Sequence, residues 1–123
     1  MADKFFEEEG LYKIALGIYL SIVAVHVFAN DESAERHVDC SAYFFMAANV
    51  KSMAEFSTYY AGGEYGYNIG VRAVGETKAL ERFNLTSNSI AKLIGRNWLQ
   101  FDKADEKFGV ICADILRAAN NPD

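Results

Sequence analysis

Between Ile14 and Ala29 the chain runs sixteen residues without a formal charge, and that run decides how much of the sequence is left to build a domain. A bilayer crossing takes about 20 such residues, whereas the apolar part of a secretory signal takes roughly 7–15. The run is interrupted only by Ser21 and His26, and its end is more telling than its length. Val27 and Ala29 occupy the two places a signal peptidase reads, and Asn30, Asp31 and Glu32 follow as a polar, acidic start. Residues 1–29 therefore read as a signal peptide cut between Ala29 and Asn30, leaving a domain of residues 30–123. One feature disagrees: Asp3, Glu7, Glu8 and Glu9 outweigh Lys4 and Lys13 ahead of the run, where a signal is normally basic. Two alternatives stand beside the signal, an uncleaved membrane anchor and a core helix.

What remains is one domain's worth of chain. At 51% hydrophobic and 24% charged residues, the 123-residue sequence has the composition of a globular protein rather than a disordered one. The formal charge of −5, with Lys and Arg scattered singly from Lys4 to Arg117, excludes the basic stripe that a nucleic-acid binder needs. Pro122 is the only proline, so no helix breaker falls inside the body of the chain. The fold class expected is all-α, a bundle of about four helices in the mature chain, preceded by the apolar signal helix.

Cys40 and Cys112 lie near the two ends of that domain. There is no C-x-x-C motif and no second pair for zinc, and an even count in an exported chain predicts a disulfide between them. A bond closing so long a loop stabilises by roughly 4 kcal/mol in the chain-entropy picture, a large share of a usual net stability of about 5–15 kcal/mol. Two buried thiols in a cytosolic bundle are the alternative.

Helical periodicity runs through Cys40, Tyr43, Met46, Ala47, Val50, Met53, Ala54 and Ser57, begins at a cap from Asp31 or Ser33, and is expected to stop at Gly62-Gly63. A second helix is expected over residues 64–83, where Gly66 and Gly70, four apart, would let another helix approach closely. "NLTSNS" reads as a break, with Thr86 or Ser87 capping a third helix that carries Ile90, Leu93, Ile94, Trp98 and Phe101. Asp102 caps the last, in which Phe108, Ile111, Cys112, Ile115, Leu116 and Ala119 form a stripe. Both cysteines thus fall on buried stripes, so packing first helix on last brings the sulfurs together.

Chemistry is sparse. His37 is the only histidine after residue 30, and its neighbours Arg36 and Asp39 point elsewhere on a helix. Glu76 and Glu81, or Asp102, Asp105 and Glu106, sit in no calcium-loop pattern. Asn84-Leu85-Thr86 is a glycosylation sequon, meaningful only in a eukaryotic secretory route. The surplus is aromatic, at 14%. Phe44-Phe45 and Tyr59-Tyr60 are adjacent pairs that cannot both point inward. Phe45, Tyr59, Tyr60, Tyr65 and Tyr67 are the expected binding surface, and exposed aromatics favour a protein partner or a homodimer. No catalytic residue, metal ligand or cofactor is expected. The role expected is non-catalytic protein binding in the periplasm or outside the cell, as an inhibitor, immunity protein or chaperone-like factor would do. The alternatives are an accessory subunit tethered to a membrane through residues 14–29, and a small-molecule carrier with a tyrosine-lined pocket.

Overall fold

The computed structural model describes residues 32–121, and the expected cleavage point at Ala29 and Asn30 lies outside them. Among the described residues there are five α-helices: α1 (32–50), α2 (Met53–Val74), α3 (Glu76–Leu93), α4 (Asp102–Phe108) and α5 (Ala113–Asn120). One 3-10 turn, Trp98–Gln100, separates α3 from α4.

Helix α1 is the hub. Cys40, Ser41, Ala42, Tyr43 and Phe44 are five consecutive buried residues, so neighbours cover the helix on every side, and an apolar sequence suits that position. Both hydroxyls in this run are bonded, Ser41 donating to the Gly63 carbonyl at 2.7 Å and Tyr43 to the Asp105 carboxylate, which keeps their burial from costing a hydrogen bond.

Helix α2 packs antiparallel on α1 through Gly62, Gly63, Gly66 and Gly70, all buried. A Cβ at Gly66 would stand 2.5 Å from the His37 carbonyl oxygen, and one at Gly70 would collide with Val38 Cγ2. The close approach expected from Gly66 and Gly70 is therefore present, with backbone resting against backbone at Gly66. Helix α3 then runs beside α1 in the same direction. Its Arg82 and Thr86 reach Asp39, and Ile90 and Ile94 enter the core with Tyr43, Phe44 and Ala47.

Helix α5 lies antiparallel to α2, with Asn120 Nδ2 donating to the Thr58 carbonyl at 3.1 Å and Leu116 against Gly62. Tyr43 forms the centre of an aromatic stack, its ring centroid 5.8 Å from Phe101 and 5.6 Å from Phe108. The Cys40–Cys112 disulfide joins α1 to the segment just before α5, with the two Cα atoms 5.6 Å apart and both cysteines fully buried.

The helix boundaries correct four expectations. The first helix does not reach Gly62-Gly63; it ends at residue 50, and Ser52, extended at φ −64° and ψ 159°, starts α2. Ser52 and Glu55 have the spacing of a helix start, and the Ser52 hydroxyl donates to the Glu55 carboxylate at 3.1 Å. Gly62 and Gly63 stay helical because burial against Phe44, Phe45 and Leu116 outweighs their tendency to end a helix.

The second break comes at Gly75, whose φ of +93° suits glycine, and not at "NLTSNS". Thr86 caps nothing; its hydroxyl donates to Asp39 on α1 at 2.6 Å, so a tertiary bond replaces the local one. The third helix stops at Leu93, before Trp98 and Phe101, where Gly95 and Arg96 take φ of +62° and +56°. The last helix is split by residues 109–112, and Asp102 lies inside the first turn of α4 without capping it. Five shorter helices thus stand where about four were expected.

Candidate functional site

Helical spacing places Phe56, Tyr60 and Tyr67 along one side of α2, and these rings meet Phe45 from α1 and Phe83 from α3. The centroids are 5.6 Å apart for Phe56 and Tyr60, 5.2 Å for Tyr60 and Phe45, 6.0 Å for Phe45 and Phe83, and 5.6 Å for Phe83 and Tyr67. Five rings from three helices therefore form one continuous row. Except for the stacked Phe56 and Tyr60, the contacts are edge-to-face, the geometry in which aromatic pairs gain beyond simple burial. Phe56 and Tyr60 each keep 43% of their surface exposed. Phe45 is held from beneath by Gly63, where a Cβ would come within 2.8 Å of its ring.

Of the residues expected to form a binding surface, the fold brings together Phe45, Tyr60 and Tyr67. It sends Tyr59 and Tyr65 elsewhere. Tyr59 packs on Phe44, and the Lys51 ammonium lies 5.8 Å from its ring centre. Tyr65 faces His37 at 6.2 Å. Phe56 and Phe83 belong to the row although the sequence reading passed over them. Phe56 had a signal, lying four residues before Tyr60, whereas Phe83 had none because it arrives on a different helix.

Tyr59 instead borders a groove of about 410 Å³ between α2 and α5, floored by Phe44, Tyr43, Gly109 and Leu116. Thr58, Arg117, Asn120 and Asn121 give it a polar rim. Beside it the Tyr43 hydroxyl donates to Asp105 at 2.6 Å, and Lys51 Nζ donates to the other oxygen of the same carboxylate at 2.8 Å. Burial, reinforced by the Asp105 carboxylate, pushes the Tyr43 phenol well above its usual range, so it remains a neutral donor. Burial works against the charge on Lys51, but the hydrogen bond and charge of Asp105 outweigh it and raise its pKa. Lys51 thus serves Asp105 and not the i,i+4 position at Glu55.

The other polar side chains hold helices together. Asp39 accepts both Arg82 Nε and Arg82 Nη2 at 2.8 Å, a bidentate pair linking α1 to α3. Arg36 donates to Asp114 at 3.1 Å and to the Ile111 carbonyl at 2.8 Å, fastening the segment that carries Cys112. The hydrogen bond to Asp114 raises the Arg36 pKa, and Arg36 in turn lowers that of Asp114. His37 Nδ1 lies 2.7 Å from the Ser33 carbonyl, which can only accept, so this nitrogen carries the proton. Among the described residues no three His, Cys, Asp or Glu side chains are grouped to hold a metal ion. No helix there is long and apolar enough to cross a membrane.

Comparison with protein-family descriptions, with curated proteins and with solved structures finds no match for this chain. The disulfide is the feature that speaks to its surroundings, since such bonds persist in oxidising compartments outside the cytoplasm.

Proposed function

We propose that the chain is an exported, non-catalytic domain that binds another protein through the aromatic row Phe56–Tyr60–Phe45–Phe83–Tyr67. The observation that carries this reading is the row itself: rings from three helices, already ordered against each other, with Phe56 and Tyr60 still partly open. Pre-ordered aromatics lose little entropy on binding and are the residues that dominate interface energies. Export to the periplasm or the exterior, after removal of residues 1–29, agrees with the buried disulfide. Retention of residues 14–29 would make the same domain a tethered subunit with the same binding face.

A photo-reactive amino acid at position 60, activated in the living host, tests the reading. A discrete cross-link to a protein, either a different one or a second copy, is expected from position 60 and not from position 78 on α3, which is also exposed. Equal background from both positions would refute it. Once the partner is identified, Tyr60→Ala is expected to weaken its binding by roughly thirtyfold, the effect of losing an interface anchor of about 2 kcal/mol.

The groove favours a second reading, a carrier of a small amphipathic molecule, because its volume falls within the usual range of about 300–1,000 Å³ for ligand sites. A ligand retained in native mass spectra of the purified protein would support it. Spectra of the bare chain alone, after gentle purification, would count against it.

A further inference from the structure

Because α1 and α3 run in the same direction and α2 runs back, the α1–α2 turn, the start of α2 and the end of α3 come to one end of the bundle. The 3-10 turn joins them: the Lys51 ammonium lies 6.0 Å from the Phe101 ring centre, and Phe101 lies 6.4 Å from the Trp98 ring. This end carries the two most exposed large apolar side chains among the described residues, Met53 at 93% and Leu99 at 91%, together with Trp98 at 52%. Asn97 shapes the tip, its side-chain oxygen accepting the Leu99 N–H at 3.0 Å after the two positive-φ residues Gly95 and Arg96. Exposed Lys92, Arg96 and Lys103 flank Trp98 and Leu99 in sequence, against the exposed carboxylates Asp102 and, at the start of α2, Glu55, so this end is net positive in a chain of net charge −5.

We propose that this end of the bundle seats on an anionic lipid surface, with Trp98 at headgroup depth, Leu99 among the acyl chains, and Lys92, Arg96 and Lys103 over the phosphates. The shape distinguishes it from the aromatic row. Met53 and Leu99 project alone and rest on almost nothing of their own chain, whereas the core of a protein interface is packed as closely as a protein interior and needs a matching pocket for each such projection. A fluid bilayer accepts such projections without a matching pocket, tryptophan settles at its interface, and each nearby cation adds attraction to anionic headgroups.

Trp98 is the only tryptophan of the chain, so its fluorescence reports on this tip alone, whether or not residues 14–29 are attached. With the whole chain and phosphatidylcholine vesicles containing phosphatidylglycerol, Trp98 emission is expected to shift to the blue and to be quenched by lipids brominated on their acyl chains. Vesicles of phosphatidylcholine alone are expected to give a weaker response, and added salt to reduce the response to the anionic ones. Leu99→Asp is expected to lower the apparent vesicle affinity sensed by Trp98 by roughly tenfold or more, with its unfolding midpoint unchanged because Leu99 is not packed. Emission unmoved by anionic vesicles, or quenching identical in wild type and Leu99→Asp, would overturn the proposal. So would a Trp98 response to a protein partner or to self-association with none to vesicles.

Discussion

Gly66 concentrates the packing of this domain at a single atom. Its missing Cβ leaves room for the His37 carbonyl of α1, a backbone oxygen that cannot yield without moving the helix that carries it. Gly66→Ala is expected to lose about 2 kcal/mol in urea unfolding, the overpacking cost exceeding the roughly 1 kcal/mol that alanine gains as a helix former. A Cβ at Gly63 meets first the Phe45 ring, a side chain and not backbone, so Gly63→Ala is expected to cost less stability while disturbing the aromatic row. Tyr43 provides a pH-dependent counterpart. Its phenol is raised in the fold, whereas tyrosines of the unfolded chain ionise near pH 10, so above that pH the folded state binds more protons than the unfolded one. The stability this contributes is complete below about pH 10 and is lost as the pH rises beyond it. Tyr43→Phe is expected to flatten that alkaline loss in pH-dependent unfolding curves, while costing about 1 kcal/mol at neutral pH because Asp105 loses a donor.

At the scale of elements, α1, α2 and α3 hold one another through glycine contacts and the Asp39–Arg82 pair, while α4 and α5, packed on Tyr43 and on α2 at Gly62, are in addition tied to α1 by the tether at Cys112. Reducing the disulfide is expected to raise amide hydrogen exchange over residues 102–120 before it rises in α2 and α3, with a loss of roughly 4 kcal/mol for a bond between residues separated by 72 positions. If all helices exchanged equally on reduction, the tether would not be the distinguishing restraint. Arg36 and Asp114 assist it. The Asp114 pKa is lowered from 3.8 by the Arg36 hydrogen bond, so this support is present above the ordinary carboxylate range and is lost as the pH falls through the lowered value. The element boundaries were only partly legible in the sequence. Residues 62–63 carry a helix-stop signature, yet contacts with Phe44, Phe45 and Leu116 override it. Thr86 carries a cap signature, yet Asp39 takes its hydroxyl. In both cases a partner far away in sequence decides, and no local pattern names that partner. The break at residues 51–52 was missed, although Ser52 and Glu55 have the spacing of a helix start.

For the whole molecule, the all-helical class and the Cys40–Cys112 clasp could be read in advance because each rests on a property summed along the chain: proline placed only at the end, and two cysteines each on an apolar stripe. The aromatic row was half legible. Phe45, Tyr60 and Tyr67 stood out as surplus aromatics, but the fold had to supply Phe83 and to turn Tyr59 and Tyr65 away. The central claim is a helical domain clasped by that bond in an oxidising compartment. Intact mass of protein taken from its native host, acid-quenched and treated with a thiol alkylator before and after reductant, tests it most directly. No label before reductant and two labels after it, on a chain beginning at Asn30, is the result the account predicts. Two labels before any reductant is added would contradict it.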